Sequence, residues 1–138
     1  MDYLCLTREA RPIQGSLMAL LLVVDDESLV RLTAAEMAEE LGYEVLEAKN
    51  ADEAIRILES RGDIKVVFSD VQMPGTMDGL RLASLVRDRW PPIRLILTSG
   101  KALPAGEALP EDCTFIPKPY SLENLTDALR KAPGRTDP

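Results

Sequence analysis

Residues 19–28 read Ala-Leu-Leu-Leu-Val-Val-Asp-Asp-Glu-Ser, and this stretch decides the fold. Six consecutive apolar residues without alternation suit a strand whose two faces are both covered. Such strands belong to parallel sheets that carry helices on each side. The apolar stretch from Leu17 follows Arg8 and Arg11, as in a secretion signal, but Asp25, Asp26 and Glu27 come at once, with no small-residue cleavage site. It is also too short to span a bilayer. The strand reading therefore stands, with three acids at its carboxyl end and a cytoplasmic location expected.

The rest of the chain repeats short apolar runs and amphipathic stretches. Ser28–Leu41 predicts a helix with Leu29, Leu32, Met37 and Leu41 among its apolar positions and Gly42 as its stop. Glu44–Ala48 alternates as a strand does. Asn50 caps a helix running to about Ser60, with Glu53 three residues on as in a capping box and Ile57 and Leu58 facing the core. Lys65–Ser69 is the third strand, and Met73 to Asp78 is a loop marked by Pro74 and Gly75. Gly79–Trp90 is the third helix, closed by Pro91 and Pro92. Ile93–Leu97 is the fourth strand. Residues 100–112 carry Gly100, Pro104, Gly106 and Pro110, so a fourth helix there is short or distorted. Thr114–Ile116 is the fifth strand, and Ser121 caps a last helix to about Lys131 with Leu122, Leu125, Ala128 and Leu129 on one side. Successive βα units of this kind give an α/β fold with right-handed crossovers.

Residues 1–17 lack sustained periodicity and carry Pro12 and Gly15, so a poorly ordered extension is expected, with Met18 a candidate start. Residues 18–131 form the domain, and 132–138 read as a frayed tail. Aromatics are only 4% of the 138 residues, so the core must be aliphatic. The net charge of −7, with no Lys/Arg-rich run, argues against binding nucleic acid. Cys5 and Cys113 lie far apart without metal-ligand spacing and read as free thiols. There is no histidine. Histidine acid/base chemistry is thus excluded, and any phosphoryl group passed on from a histidine must come from another protein.

In such sheets ligands bind at the carboxyl ends of the strands, near the point where strand order reverses. Strand one ends in Asp25, Asp26 and Glu27, strand three in Asp70, strand four in Thr98 and Ser99, and strand five at Lys118 between Pro117 and Pro119. Clustered carboxylates raise one another's pKa unless a cation relieves them. Mg²⁺ suits such a set, because it takes oxygen ligands and keeps several waters. A carboxylate can also attack phosphorus, and the Lys118 ammonium and Thr98 hydroxyl can neutralise charge on the phosphoryl oxygens. Taken singly, each feature has a plainer reading. Acids favour helix N-termini, Asp70 could cap, Thr98 could be a loop hydroxyl, Lys118 a solvated charge and Phe115 plain core. Glu27 reads as a helix-start acid, Ser99 as a hydroxyl without the essential role, and Trp90 as a helix-end plug. Glu39, Glu40 and Arg87-Asp88-Arg89 read as solvated faces.

The ordered set Val23-Val24-Asp25-Asp26-Glu27, Phe68-Ser69-Asp70-Val71-Gln72-Met73-Pro74-Gly75, Leu97-Thr98-Ser99 and Lys118-Pro119 resembles the response-regulator receiver family of two-component signalling. The likeness covers residues 19 to 131. It implies a flavodoxin-like (βα)5 three-layer sandwich with a five-stranded parallel sheet in the order 2-1-3-4-5. It implies Asp70 as phosphoacceptor, and Mg²⁺ held by Asp26, Asp25, Asp70 and the backbone carbonyl of Gln72. Lys118 and Thr98 would stabilise the phosphoryl group, with Thr98 and Phe115 as the switch pair. The partner implied is a histidine kinase or histidine phosphotransfer protein, with a homodimer left open and the downstream protein unspecified. Such a domain catalyses only its own phosphoryl transfer and dephosphorylation. Two features depart from the usual pattern. The loop Met73-Pro74-Gly75-Thr76-Met77-Asp78-Gly79 is one residue longer, and the fourth helix is eroded, which puts the customary output surface in doubt. The longer loop and the run Thr98-Ser99-Gly100-Lys101 resemble receivers of hybrid sensor kinases. Too few residues follow position 131 for a DNA-binding module, so output is expected through protein contacts, relay or action as a phosphate sink. Other readings are weaker. Hydrolases resembling haloacid dehalogenases place an acid two residues after the nucleophile, where this chain has Gln72. A non-phosphorylated binding module need not keep the acidic set, and a flavin phosphate would be repelled by it.

Overall fold

The computed structural model describes residues 19–75, 77–101, 109 and 112–131. The expected N-terminal extension, the C-terminal tail and most of the stretch expected to hold an eroded fourth helix lie outside these residues. Five strands, β1 (Leu20–Val24), β2 (Glu44–Ala48), β3 (Ile64–Asp70), β4 (Arg94–Ser99) and β5 (Cys113–Pro117), form one parallel sheet in the order β2-β1-β3-β4-β5. The helices among the described residues are α1 (Ser28–Glu40), α2 (Ala51–Ser60), α3 (Gly79–Arg89) and α4 (Leu122–Lys131).

The unbroken apolar run is explained by two cores. Strand side chains alternate between faces. Leu20, Leu22 and Val24 of β1, Val67 of β3 and Leu95 and Leu97 of β4 enter one core with Ala51, Ala54 and Leu58 of α2 and Leu82, Ala83 and Val86 of α3. Leu21, Val23, Val66, Phe68 and Ile96 enter the opposite core with Ala34 and Ala38 of α1 and Leu125, Ala128 and Leu129 of α4. All five β1 residues are therefore buried.

The helix signals act as expected at several ends. The Asn50 side chain accepts the Glu53 N–H at 2.8 Å, and the Glu53 carboxylate accepts the Lys49 N–H at 2.7 Å, a reciprocal cap. Gly42 takes φ +100° just past α1 and donates its N–H to Glu39 O. Trp90 closes α3, its N–H bonded to Val86 O and the Arg89 guanidinium over its ring at 4.5 Å.

One expectation needs correction, and the apolar positions of α1 divide in a way their spacing alone did not specify. Leu29 and Leu32 do not face the core; they are 74% and 47% exposed. At 100° per residue they fall opposite Ala34 and Ala38, and these small residues let α1 sit close to the sheet, while Met37 and Leu41 pack at the edge of that core. Arg87 is not part of a solvated face. Its guanidinium donates to the carbonyls of Pro91, Ile93 and Asp112, stapling the end of α3 to the starts of β4 and β5. Asp88 and Arg89 are exposed, as expected, with Arg89 paired to Glu59 at 3.0 Å.

Candidate functional site

β1, β3 and β4 end level with one another, and their polar termini meet there. The central strands run further than the apolar pattern suggests. Asp70 is the last residue of β3 and is in register with Thr98, and Ser99 closes β4 opposite Pro117. These residues thus sit in the ladder, where their backbones are fixed, rather than in loops.

Asp25 continues the line of β1 by donating its N–H to Ala48 O. Its Oδ1 accepts the Glu27 N–H at 2.9 Å, a local bond that turns the chain from strand into helix α1. Glu27 is the first residue outside that helix and makes no side-chain cap bond, consistent with a helix-start acid. Arg31, one turn into α1, donates from Nη1 to Asp25 O at 2.9 Å and from Nε to Glu47 at 3.0 Å. The residues on either side of this turn differ sharply: Asp25 is buried and Asp26 is exposed.

Lys118 follows β5, its N–H bonded to Ser99 O at 2.9 Å and its peptide to Pro119 cis. Its Nζ lies 3.4 Å from Asp25 Oδ2 and 3.4 Å from Asp70 Oδ2. One ammonium therefore serves two buried carboxylates, and Asp26 brings a third: ligand atoms of Asp25, Asp26 and Asp70 all lie within 4.8 Å of one another. Two buried polar atoms, Asp70 Oδ1 and Thr98 Oγ1, have no hydrogen-bond partner. Buried polar atoms are normally satisfied, so such orphans mark where another group binds. An oxygen-only set with excess negative charge suits a hard divalent cation. Burial, with the Asp25 charge adding to it, pushes the Asp70 carboxyl above the usual range, against the opposing pull of Lys118. Tyr120, edge-on to Phe68 at 5.4 Å between ring centroids, has its phenol pushed up to about 12 by burial and the same two aspartates.

All the expected site side chains except Phe115 converge here. Phe115 is half-buried and packs against the core shared by α2 and α3. Three supports escaped the sequence reading. Ser99, 1% exposed, donates from Oγ to Gln72 Oε1 at 2.5 Å. Gly79 starts α3 so close to the end of β3 that a Cβ there would lie 2.0 Å from Asp70 O. Arg31 anchors the Asp25 carbonyl. Only Gly79 left a signal, a glycine opening a helix where a good helix former would otherwise serve. Cys113 is free and half-buried, its thiol pushed up to about 11 by burial, which makes it unreactive. No helix of the described residues is long and apolar enough to cross a membrane.

Comparison with known proteins agrees with this geometry. The family model of the response regulator receiver domain matches residues 21–130. The chain is 38% identical over 127 residues to the sensor kinase CckA of Brucella abortus, covering 89% of this chain but 13% of that protein. It is 37% identical over 123 residues to the chemotaxis protein CheY1 of Helicobacter pylori (strain 26695), covering 85% of this chain and 98% of that one. Among solved structures, the response regulator TrrA of Thermotoga maritima, in complex with Mg²⁺ and BeF, superposes with a TM-score of 0.74 at 28% identity, covering 84% of this chain and all of that one.

Proposed function

Because the chain belongs to the response regulator receiver domain family, and so is a receiver of two-component signalling, we propose that Asp70 is its phosphoacceptor and that Asp25, Asp26, Asp70 and the Gln72 carbonyl hold Mg²⁺. The observation that carries this reading is the pair of buried, unpartnered oxygens, Asp70 Oδ1 and Thr98 Oγ1, at paired ladder positions beside a lysine shared by two carboxylates. An unsatisfied carboxylate oxygen is free to act as a nucleophile, and an unsatisfied hydroxyl is free to donate.

Asp70 Oδ1 forms the new bond to phosphorus as the bond from phosphorus to the donor's leaving group breaks, giving an aspartyl phosphate. The donor is the phosphohistidine of a histidine kinase or of a histidine phosphotransfer protein. Lys118 Nζ neutralises charge on the phosphoryl oxygens, and Thr98 Oγ1 donates its proton in a hydrogen bond to one of them. Mg²⁺, held by Asp25, Asp26, Asp70 and the Gln72 carbonyl, would supply further charge neutralisation at the phosphoryl group. Thr98 then shifts towards Asp70, and Phe115, which pairs with the adjacent Leu97 on the neighbouring strand β5, repacks with it. Water reverses the modification at the same centre, and no other reaction is assigned. Residues 18–131 form the unit that does this.

Intact mass after incubation with Mg²⁺ and acetyl phosphate tests the proposal. One phosphoryl group should be gained, and it should be lost both in Asp70→Asn and when metal is withheld. An adduct that persists in Asp70→Asn would overturn the assignment.

A further inference from the structure

We infer that Ser99 is a positioning residue for the metal site: its hydroxyl holds the Gln72 side chain and thereby sets the backbone whose carbonyl is offered to Mg²⁺. The inference rests on the metal reading given above and assigns a role to a residue outside the acidic set.

The chain leaves the sheet directly after Asp70. Val71 is held on both sides, its N–H to Thr98 O at 2.9 Å and its carbonyl accepting the Gly79 N–H at 2.9 Å. After Val71 the chain is anchored again at Met73, which is buried in the core with α2 and α3. Between these anchors the Gln72 side chain fixes the position of its own Cα, and with it the peptide that follows, because its Oε1 accepts from Ser99 Oγ at 2.5 Å. Ser99 is itself held on several sides: it lies in the ladder opposite Pro117, is 1% exposed, and its Oγ accepts the Lys101 N–H at 3.0 Å. A hydroxyl has one proton to donate. In Ser99 that proton is committed to Gln72, whereas the neighbouring Thr98 Oγ1 is buried without a partner. The adjacent hydroxyls thus divide the work, with Thr98 kept for the phosphoryl group and Ser99 spent on the loop that carries a metal ligand. Groups that orient a metal ligand without touching the metal typically cost about 10–100-fold in affinity when removed. A single neutral hydrogen bond on a half-buried side chain belongs at the lower end of that range.

Calorimetric titration of the whole chain with Mg²⁺ tests this, using wild type, Ser99→Ala, Gln72→Ala, the double variant and Asp26→Asn. Gln72 is half-buried, so its truncation keeps the test open even if Ser99→Ala folds poorly. The expected result is affinity weakened on the order of tenfold by each single change, with no further loss in the double variant. Phosphorylation from acetyl phosphate should then be slow in Ser99→Ala at limiting Mg²⁺ and regain the wild-type rate at saturating Mg²⁺, which a folding defect would not do. Wild-type affinity in Ser99→Ala overturns the inference, and so does a loss in Ser99→Ala that Gln72→Ala does not share. In either case, loss of binding in Asp26→Asn leaves the metal reading standing. No Mg²⁺ binding by the wild type would instead remove the metal reading itself.

Discussion

Gly79→Ala asks how tightly helix α3 is seated against the proposed phosphoacceptor. The added Cβ would lie 2.0 Å from Asp70 O, 2.7 Å from Val71 Cα and 2.8 Å from Asp70 C. All three are backbone atoms of Asp70, the last residue of β3, and of Val71, whose N–H is bonded to Thr98 O; this backbone cannot swing aside as a flexible side chain would. A Cβ contact needs at least 3.0 Å, so about 1 Å must open between the start of α3 and Asp70. Overpacking typically costs about 1–3 kcal/mol, and rigid backbone on one side puts this case at the upper end. The gain in helix propensity on replacing glycine is at most about 1 kcal/mol in a helix interior, and less at a first position. A net loss of about 2 kcal/mol is expected, a large share of the roughly 5–15 kcal/mol that holds a domain together. The displaced atom is Asp70's own carbonyl, and a shift of about 1 Å in reacting groups costs on the order of a hundredfold in rate. Urea unfolding followed by circular dichroism would give the first figure, and intact-mass kinetics with acetyl phosphate the second. Gly62→Ala is the control, since a Cβ there meets nothing within 4 Å; it should be neutral or mildly stabilising. The reasoning is refuted if Gly79→Ala matches Gly62→Ala in both stability and rate.

Three further outcomes follow from the same structure. Burial raises the Asp70 pKa from its ordinary 3.8, so the folded state binds this proton more tightly than the unfolded chain, and the associated stability, full below 3.8, is lost as pH rises through the raised value. In metal-free buffer Asp70→Asn, which mimics the protonated form, should therefore be more stable than wild type at neutral pH and lose that advantage in acid; equal urea midpoints at pH 7 would sink the argument. Asn50→Ala removes the acceptor of the Glu53 N–H and should cost about 1 kcal/mol in urea unfolding, with Asn50→Asp close to wild type. Arg87→Ala strips a charged donor from the carbonyls of Pro91, Ile93 and Asp112 and should cost about 2 kcal/mol; a loss under 0.5 kcal/mol, the scale of ordinary surface changes, would restore the solvated-face reading.

Much of the fold is legible because local chemistry and tertiary demand agree in it. Ala19–Val24 is apolar without a break, which only a strand covered on both faces needs, and it feeds two separate cores. Asn50 with Glu53, and Gly42, mark helix ends through bonds that span a few residues. The site was legible for a related reason: a parallel sheet brings strand ends together, so residues as distant as Asp25 and Lys118 can be placed side by side from their positions in the βα order alone. What only the tertiary structure decided depends on orientation and separation. Leu29 and Leu32 are apolar in a helix, yet the close seating of α1 through Ala34 and Ala38 turns them to solvent. Arg87 has the composition of a surface charge, and only the meeting of three chain segments makes it a staple. Thr98 and Ser99 are adjacent hydroxyls of similar chemistry, and nothing in their order says that one is left unpartnered beside Asp70 while the other is bonded to Gln72. Sequence determines which groups reach the end of the sheet; the packing of helices and loops around it determines which of them remain free to react, because a hydrogen-bond partner or a collision is a matter of about an ångström and the sequence pattern carries no distances.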